Sequence, residues 1–130
     1  VPYILMSVQP TLETMMKGFA KEVQQLRDLG AKDIILDPGF CFGKNLIQNY
    51  QIYNEMEKLN VMELPVLVGI SRKTMIYKLL GGDGTTSLNG TSVLHTIALM
   101  KGASILRVHD VKEAAEAVKI IEAMKEGRTW

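Results

Sequence analysis

Four short apolar runs, each followed by a helix-forming stretch, limit what this 130-residue sequence can fold into. The runs cover residues 3–6, 34–36, 66–70 and 104–108, and we predict a strand at each. The strands begin roughly 30 to 40 residues apart, the length of a strand–helix–strand unit. This alternation predicts an α/β fold with a parallel sheet and right-handed crossovers. Four such units make half of a (β/α)₈ barrel, and an open four-stranded flavodoxin-like sheet is the alternative.

Capping residues and helical spacing place the predicted helices. Thr11 is the predicted N-cap of the first helix, Gly30 closes it, and the Asp110-x-x-Glu113 spacing predicts a capping box on the last helix, which ends at Gly127. The predicted buried faces, in chain order, are Met16, Phe19, Ala20, Val23 and Leu26; Leu46, Ile47, Tyr50 and Tyr53; Met75, Ile76, Leu79 and Leu80; Val93, Leu94, Ile97, Ala98 and Met100; and Ala114, Ala117, Val118 and Ile121.

Composition narrows the class of protein and its partners. A hydrophobic fraction of 47% with 22% charged residues fits one soluble domain covering residues 1–130. The net charge of +1 gives no reason to expect a nucleic-acid partner. The single cysteine, Cys41, excludes an internal disulfide and fits a reducing compartment, and no apolar run approaches the length of a membrane span, so we predict a cytoplasmic protein. The strand-like start at Val1, with no methionine before it, suggests a piece of something longer.

Asp37 stands at the carboxyl end of the second predicted strand, with Pro-Gly directly behind it. In parallel α/β folds this end of the sheet is where ligands bind. A carboxylate there can accept two adjacent N–H donors, as on an aminopyrimidine edge, although an acid before Pro-Gly can equally serve only to cap a turn. Phe42, a few residues on, is equally suited to walling a flat ring or to packing on a neighbour. Residues 81–84 (Gly-Gly-Asp-Gly) follow a helix and lack the Gly-Lys-Ser/Thr ending of a phosphate loop, so we predict a flexible connection.

The third and fourth predicted strands end in cations. Residues 71–73 (Ser-Arg-Lys) offer a hydroxyl and two positive charges, and Gly69 permits close approach to the backbone. Adjacent cations after a strand are often only solvated. Arg107 and His109 lie on one side of the fourth strand by its two-residue period. Since an inward arginine is costly to bury without an anion, we favour an anion site there over a structural ion pair. His95, inside a predicted helix, is interpreted as an ordinary helix residue.

Three stretches together carry a family resemblance: 37–44 (Asp-Pro-Gly-Phe-Cys-Phe-Gly-Lys), 69–76 (Gly-Ile-Ser-Arg-Lys-Thr-Met-Ile) and 106–111 (Leu-Arg-Val-His-Asp-Val). In order, strand placement and spacing they resemble the second half of the dihydropteroate synthases, a pterin-binding family with a TIM (β/α)₈ barrel. The resemblance covers essentially the whole chain. It implies that residues 1–130 are a pterin-binding domain fragment, the carboxyl-terminal half of such a barrel, whose amino-terminal strands are absent from this sequence.

The activity that the resemblance implies is a transferase reaction of folate biosynthesis. Dihydropterin-methyl diphosphate condenses with p-aminobenzoate to give dihydropteroate and pyrophosphate, and magnesium accompanies the diphosphate, bound mainly through that group and the missing half. Members of this family are sulfonamide targets, and we expect a homodimer with no nucleic-acid or membrane partner. We expect the activity of the full-length protein and not of this chain alone.

The resemblance also assigns roles to the polar tips. Asp37 would bind the aminopyrimidine edge of the pterin, and Lys73 would contact the pterin and the neighbouring substrate. Arg107 would lie against the pterin and, with His109, hold the diphosphate. Lys73, Arg107 and His109 are therefore the expected catalytic residues, and no residue of this chain is assigned as a metal ligand.

Four further positions would line the substrates. Phe42 and Ser71 would border the p-aminobenzoate pocket, where sulfonamides compete in this family. Met6 and Gly69 would line the pterin slot. We expect these positions to lie beside Asp37 and Lys73.

The sequence departs from the family pattern at two places. Residues 5–8 read Leu-Met-Ser-Val where Leu-Met-His-Met is usual, and Cys41 stands where a glycine is common. The family's first four strands also carry an Asn near the diphosphate and an Asp and an Asn on the pterin, which nothing here replaces. Two alternatives follow: an isolated, non-catalytic half-barrel that binds pterin or anions, and a methyltetrahydrofolate-dependent methyltransferase on the same fold, which fits the cationic tips less well.

Overall fold

A computed structural model describes residues 2–70 and 73–126. Within these residues four strands alternate with helices, as predicted. The elements, in chain order, are β1 (Tyr3–Met6), α1 (Leu12–Asp28), β2 (Ile34–Asp37), α2 (Leu46–Glu55), β3 (Leu67–Val68), α3 (Thr74–Leu80), α4 (Leu88–Met100), β4 (Ile105–Leu106) and α5 (Val111–Lys125). Short 3₁₀ helices follow α2 (Met56–Met62) and precede α4 (Gly84–Thr86). Strands β3 and β4 have two hydrogen-bonded residues each, fewer than predicted.

The strands lie side by side in sequence order. Strand β1 pairs in parallel with β2, so that Met6 stands opposite Asp37, and β3 pairs in parallel with β4. A single parallel bridge between Leu36 and Val66 joins the two pairs. A flavodoxin-like sheet would instead place the first strand between the second and the third. The order 1-2-3-4 therefore contradicts that alternative.

The helices pack one side each against the strands, and most of the predicted core residues are buried or half-buried there. Some predicted core residues are exposed instead: Ala20, Ile47, Leu79, Leu80, Val93 and Met100. Helix α4 shows the reason, because it is apolar nearly all round and spacing alone cannot tell which of its stripes faces the core. The stripe that does so contains Leu94, His95 and Ala98.

The helix ends agree with the sequence in part. The side chain of Thr11 accepts the predicted capping hydrogen bond at 3.2 Å, and Gly30 follows α1 with φ at +94°. The predicted capping box at Asp110 is wrong: its side chain makes no capping hydrogen bond, and its ψ of 84° departs from the extended conformation that aims a cap at the helix. In the 81–84 connection, the side chain of Asp83 accepts a hydrogen bond from the N–H of Thr85 and so caps the 3₁₀ helix that follows. Gly127 lies outside the described residues.

No helix in the described part of the chain combines the length and apolarity needed to cross a membrane. The cytoplasmic location and the single-domain assignment stay predictions.

Candidate functional site

The carboxyl ends of the four strands meet at one end of the molecule because all the pairings are parallel. Asp37 is the last residue of β2, and Met6 opposite it is the last residue of β1. Gly69 follows β3, and Arg107 follows β4. Four of the predicted site positions therefore share one edge of the sheet.

Asp37 is almost fully buried, with 2% of its surface exposed. Its Oδ1 accepts a hydrogen bond from the Gly39 N–H at 2.8 Å, which is the turn cap considered from the sequence. Its Oδ2 lies 3.4 Å from Nη2 of Arg107. One carboxylate thus caps the turn and also meets a cation, so the two interpretations of Asp37 are compatible.

Arg107 leaves 54% of its side chain exposed while it pairs with Asp37. The structural ion pair, the less favoured expectation, is therefore present, and the anion site stays a prediction. The guanidinium lies against the backbone of Gly69, where an added Cβ would come within 2.9 Å of Nε and Nη2. Glycine at 69 is what allows this approach, and the close approach expected from the sequence is made by Arg107.

Lys73 directly precedes α3 and points toward the loop after β2. Its Nζ donates to the carbonyl oxygen of Phe40 at 3.0 Å and stands 4.9 Å from the ring centroid of Phe42. Burial lowers the pKa of Lys73; Arg107 lowers it further, while Cys41 and Asp37 oppose the shift. The cation is thus close to the acid, the arginine and the exposed aromatic ring that the sequence singled out.

The 39–44 loop, which follows β2 and carries Phe42, is pressed against the chain beyond β1. Gly39 and Gly43 have φ angles of +65° and +69°, and a Cβ at either would overlap the backbone oxygen of Ser7 or Val8. Nζ of Lys44 donates to three carbonyl oxygens, those of Ser7 (3.2 Å), Gly39 (2.9 Å) and Phe42 (3.0 Å). No role was predicted for Lys44, because its position after Gly43 does not show which carbonyl oxygens its side chain reaches.

Cys41 occupies the left-handed region of backbone conformation, with φ at +71°. This explains why glycine suits the position. Its N–H donates to Oδ1 of Asn49 at 2.8 Å, and Oγ1 of Thr74 lies 3.6 Å from its sulfur. The other departure from the family pattern, Ser7, is buried and accepts a hydrogen bond from the N–H of Gln9 at 3.1 Å. Cys41 therefore contacts α2 and α3, whereas the hydroxyl of Ser7 is bonded within its own loop.

The remaining predicted residues lie at or beyond the margin of this arrangement. Met6 is partly exposed beside Asp37. His109 is exposed and lies beyond the end of β4. Arg107 and His109 were predicted to lie on one side of this strand, but the strand ends at Leu106. Ser71 lies outside the described residues.

His95 lies inside α4, as predicted from the sequence, and its burial is the feature that the sequence did not show. It is 2% exposed, and its Nε2 has no hydrogen-bond partner in the described structure. Burial lowers its pKa, and Asp110 opposes the shift. Its burial has no clear sequence signal, because apolar residues of α4 occur on exposed as well as buried sides of the helix.

The described residues bring no three His, Cys, Asp or Glu side chains into a cluster that could hold a metal ion. The carboxylate of Asp37 is already engaged by Gly39 and Arg107. These described residues therefore do not fit a metal-binding site. The site does contain a buried carboxylate, Asp37, paired with Arg107, and a second cation, Lys73, beside the ring of Phe42.

Comparison with known proteins agrees with this geometry. The family model described as "Pterin binding enzyme" matches residues 4–109. The dihydropteroate synthase of Escherichia coli strain K12 is 38% identical over 138 aligned residues, covering 95% of this chain and 49% of that protein. The chain therefore spans about half the length of the curated relatives it matches.

Solved structures give the same result. A Yersinia pestis dihydropteroate synthase with a pterine–sulfa conjugate superposes with a TM-score of 0.94 at 39% identity, covering 98% of this chain and 53% of that one. A dihydropteroate synthase from Coxiella burnetii in complex with pteroic acid gives 0.91 at 32% identity, with 98% and 53% covered. The fold thus matches about half of each of these synthase structures. This chain belongs to the pterin-binding enzyme family and is related to its dihydropteroate synthases.

Proposed function

We propose that this chain is the carboxyl-terminal half of a dihydropteroate synthase TIM barrel. In the full-length protein it would serve to condense dihydropterin-methyl diphosphate with p-aminobenzoate, giving dihydropteroate and pyrophosphate. The observation that carries this proposal is the buried carboxylate of Asp37, 3.4 Å from Arg107, at the carboxyl ends of four sequential parallel strands. This edge is where (β/α)₈ enzymes act.

The pterin is the ligand for Asp37. Only Oδ1 is committed to the loop, through the Gly39 N–H, while Oδ2 has a long contact to Arg107. An aminopyrimidine presents two adjacent N–H donors. A carboxylate that is held in place and shielded from solvent binds such an edge better than water does. Met6 and Gly69 stand beside it and would line the slot.

The leaving group is the partner for Arg107 and His109. Departure of pyrophosphate develops negative charge, which positioned cations stabilise most strongly where water is excluded. The exposed half of the Arg107 side chain leaves guanidinium donors available to an anion. Magnesium would arrive with the diphosphate, bound mainly through that group and the missing half of the barrel, and would supply further charge neutralisation.

The second substrate would lie against Phe42 and Lys73, with Ser71 at its border. Phe42 is 45% exposed, so its ring is accessible to another aromatic group. The ammonium of Lys73 is close enough to meet a carboxylate carried by such a ring. An aromatic amine is already neutral near pH 7, so no strong base is required of this chain. The Yersinia pestis relative was solved with a pterine–sulfa conjugate, which supports placing sulfonamide competition here.

Apolar surface on the terminal strands supports the half-barrel assignment. Tyr3, Ile4 and Met6 of β1 are exposed, and so is Ile105 of β4. In the described structure each of these strands has only one paired neighbour. Open edges with apolar side chains invite further strands. The missing half of the barrel would cover both.

A homodimer would use a different surface. Ile47 of α2, Leu79 and Leu80 of α3, and Val93 of α4 are all exposed. Apolar side chains on the outer face of neighbouring helices are typical of subunit contacts. We propose that this face, on the helices and away from the strand ends, is where two copies meet.

The two alternative functions, a non-catalytic half-barrel and a methyltransferase, predict different ligands and requirements. A non-catalytic half-barrel would bind pterin or anions without the missing strands. A methyltransferase would need methyltetrahydrofolate; the synthase names of the relatives and their pteroic acid ligand favour the condensation instead.

The test is calorimetric titration of the full-length protein with dihydropterin-methyl diphosphate and magnesium. Asp37→Asn keeps an oxygen for the Gly39 N–H but loses the charge, and we expect it to weaken binding by about 2 kcal/mol. Lys73→Ala should weaken it too, whereas Lys78→Ala on the exposed side of α3 should not. Binding that ignores Asp37→Asn would contradict the pterin assignment. Thermal unfolding of the 130-residue chain with the same ligands tests the alternative of an isolated, non-catalytic half-barrel. A ligand-induced rise in its unfolding temperature that Lys73→Ala abolishes would support that alternative.

A further inference from the structure

The 39–44 loop connects β2 to α2, and its shape depends on contacts with a segment more than thirty residues earlier in the chain. Gly39 and Gly43 crowd the backbone of Ser7 and Val8 so closely that neither position has room for a Cβ. Shape alone does not fasten the loop to that segment. The charged side chain of Lys44 makes a polar contact between the loop and Ser7.

The ammonium group of Lys44 is fully used inside the protein. A lysine ammonium has three N–H donors. Nζ of Lys44 has three acceptors, the carbonyl oxygens of Ser7, Gly39 and Phe42, at distances between 2.9 and 3.2 Å. Two of these lie in the loop and one lies beyond β1. No donor is left for a ligand, so Lys44 does not act on substrate directly.

Lys73 has the opposite arrangement. One hydrogen bond joins it to the loop, through the carbonyl of Phe40 at 3.0 Å, and its ammonium stands 4.9 Å from the Phe42 ring. Both contacts depend on where the loop lies. A displaced loop would separate the ring from the cation.

We propose that Lys44 is a positioning residue: it clamps the 39–44 loop to the end of β1 and thereby holds Phe42 and Lys73 together as the site for the aromatic amine substrate. The identity of that substrate rests on the proposed function. The clamp itself does not.

The clamp can be tested without turnover, because Cys41 lies in the loop and is the chain's sole cysteine. Alkylation of Cys41 by iodoacetamide in the full-length protein is followed against pH from the peptide that carries Cys41. The plateau rates at high pH are compared, so that a change in thiol ionisation does not affect the result. Lys44→Met removes the donors at similar volume, and the plateau rate should rise about fivefold as the loop opens. Lys17→Met, on the exposed side of α1, is the matched control and should react like wild type.

Turnover by the full-length protein then tests what the clamp serves. Lys44→Met should raise KM for p-aminobenzoate about tenfold while KM for the pterin diphosphate stays within about twofold. Lys44→Arg keeps charge and donors and should recover much of the loss. A general structural defect would instead change both KM values and kcat together.

The outcomes separate the two claims. An unchanged plateau alkylation rate in folded Lys44→Met overturns the clamp, whatever the enzyme does. A raised rate with an unchanged KM for p-aminobenzoate overturns the role in the amine site. A wild-type protein that condenses no pterin overturns the proposed function, and the alkylation result still decides the clamp. If Lys44→Met does not fold, Lys44→Gln, which is neutral and shorter, replaces it.

Discussion

Nη2 of Arg107 lies 3.4 Å from Oδ2 of Asp37, across a sequence distance of 70 residues, and joins the end of β2 to the end of β4. The acid is buried and the arginine is half-exposed, so solvent screens the pair on one side. Such a pair contributes about 1 kcal/mol or less to folding. Its geometry is therefore better suited to exchanging partners with a ligand than to stabilising the fold.

Arg107→Ala tests this division between stability and activity. We expect the free energy of unfolding to fall by about 1 kcal/mol or less, because Asp37 keeps its bond to Gly39. Turnover in the full-length protein should fall at least about a hundredfold, because charge on the leaving pyrophosphate loses a stabilising cation. Urea unfolding and a pyrophosphate-release assay measure the two effects. Arg27→Ala, on the surface at the end of α1, is the control. Near-normal turnover in folded Arg107→Ala would refute the assignment.

Gly39 is expected to be far less tolerant of substitution than a glycine with the same handedness in open space. Gly39→Ala combines a positive φ with overlap against the Ser7 carbonyl, and backbone must move. Gly30→Ala has the same handedness at φ +94° with nothing within 4 Å, and should cost only the conformational penalty of about 1 kcal/mol. Urea unfolding of both variants checks this. Equal losses would mean that the loop is not packed on β1 as described.

The lowered pKa of Lys73 predicts an alkaline limit on pterin diphosphate binding. Burial is the main cause, and it favours the neutral amine, so the cation is present at low pH and is lost as the pH rises through a value below 10.5. Affinity should therefore decline at a lower pH than an exposed lysine would give. Calorimetric titration at several pH values measures it. In Lys73→Arg the decline in affinity should move to higher pH. A decline at the same pH as in the wild type would mean that another group causes it.

His95 predicts a loss of stability on acidification. Burial depresses its pKa below the usual 6.5, so the unfolded chain takes up a proton before the folded one does. The contribution of neutral His95 to stability is therefore present above pH 6.5 and lost as the pH falls toward the folded pKa, with a slope of at most about 1.4 kcal/mol per pH unit. Urea unfolding between pH 7.5 and 5 would show this, with both values chosen about one unit or more from 6.5. In His95→Gln the slope should flatten; the same slope would assign it to other groups.

The sequence predicted the parts of the structure that local patterns control. Alternating apolar runs predicted the βα units, and the positions of Asp37 and Arg107 after strands predicted that they would share an edge. A structural ion pair for Arg107 was considered but not favoured, and Asp37 was not named as its partner, because spacing does not show how far a guanidinium reaches. The role of Lys44 depends on Ser7, 37 residues away, and has no local signal. The position of His95 inside a helix was predicted, but its burial was not, because hydrophobic periodicity distinguishes a buried stripe only where the other side of the helix is polar.

The most direct test of the account is pyrophosphate release by the full-length protein containing this chain, measured with dihydropterin-methyl diphosphate in the presence and absence of p-aminobenzoate. We predict release that requires p-aminobenzoate, yields dihydropteroate in equal amount, and is abolished by Lys73→Ala in a protein that remains folded. A folded wild-type protein that binds the pterin diphosphate but forms no dihydropteroate with p-aminobenzoate would contradict the proposed activity.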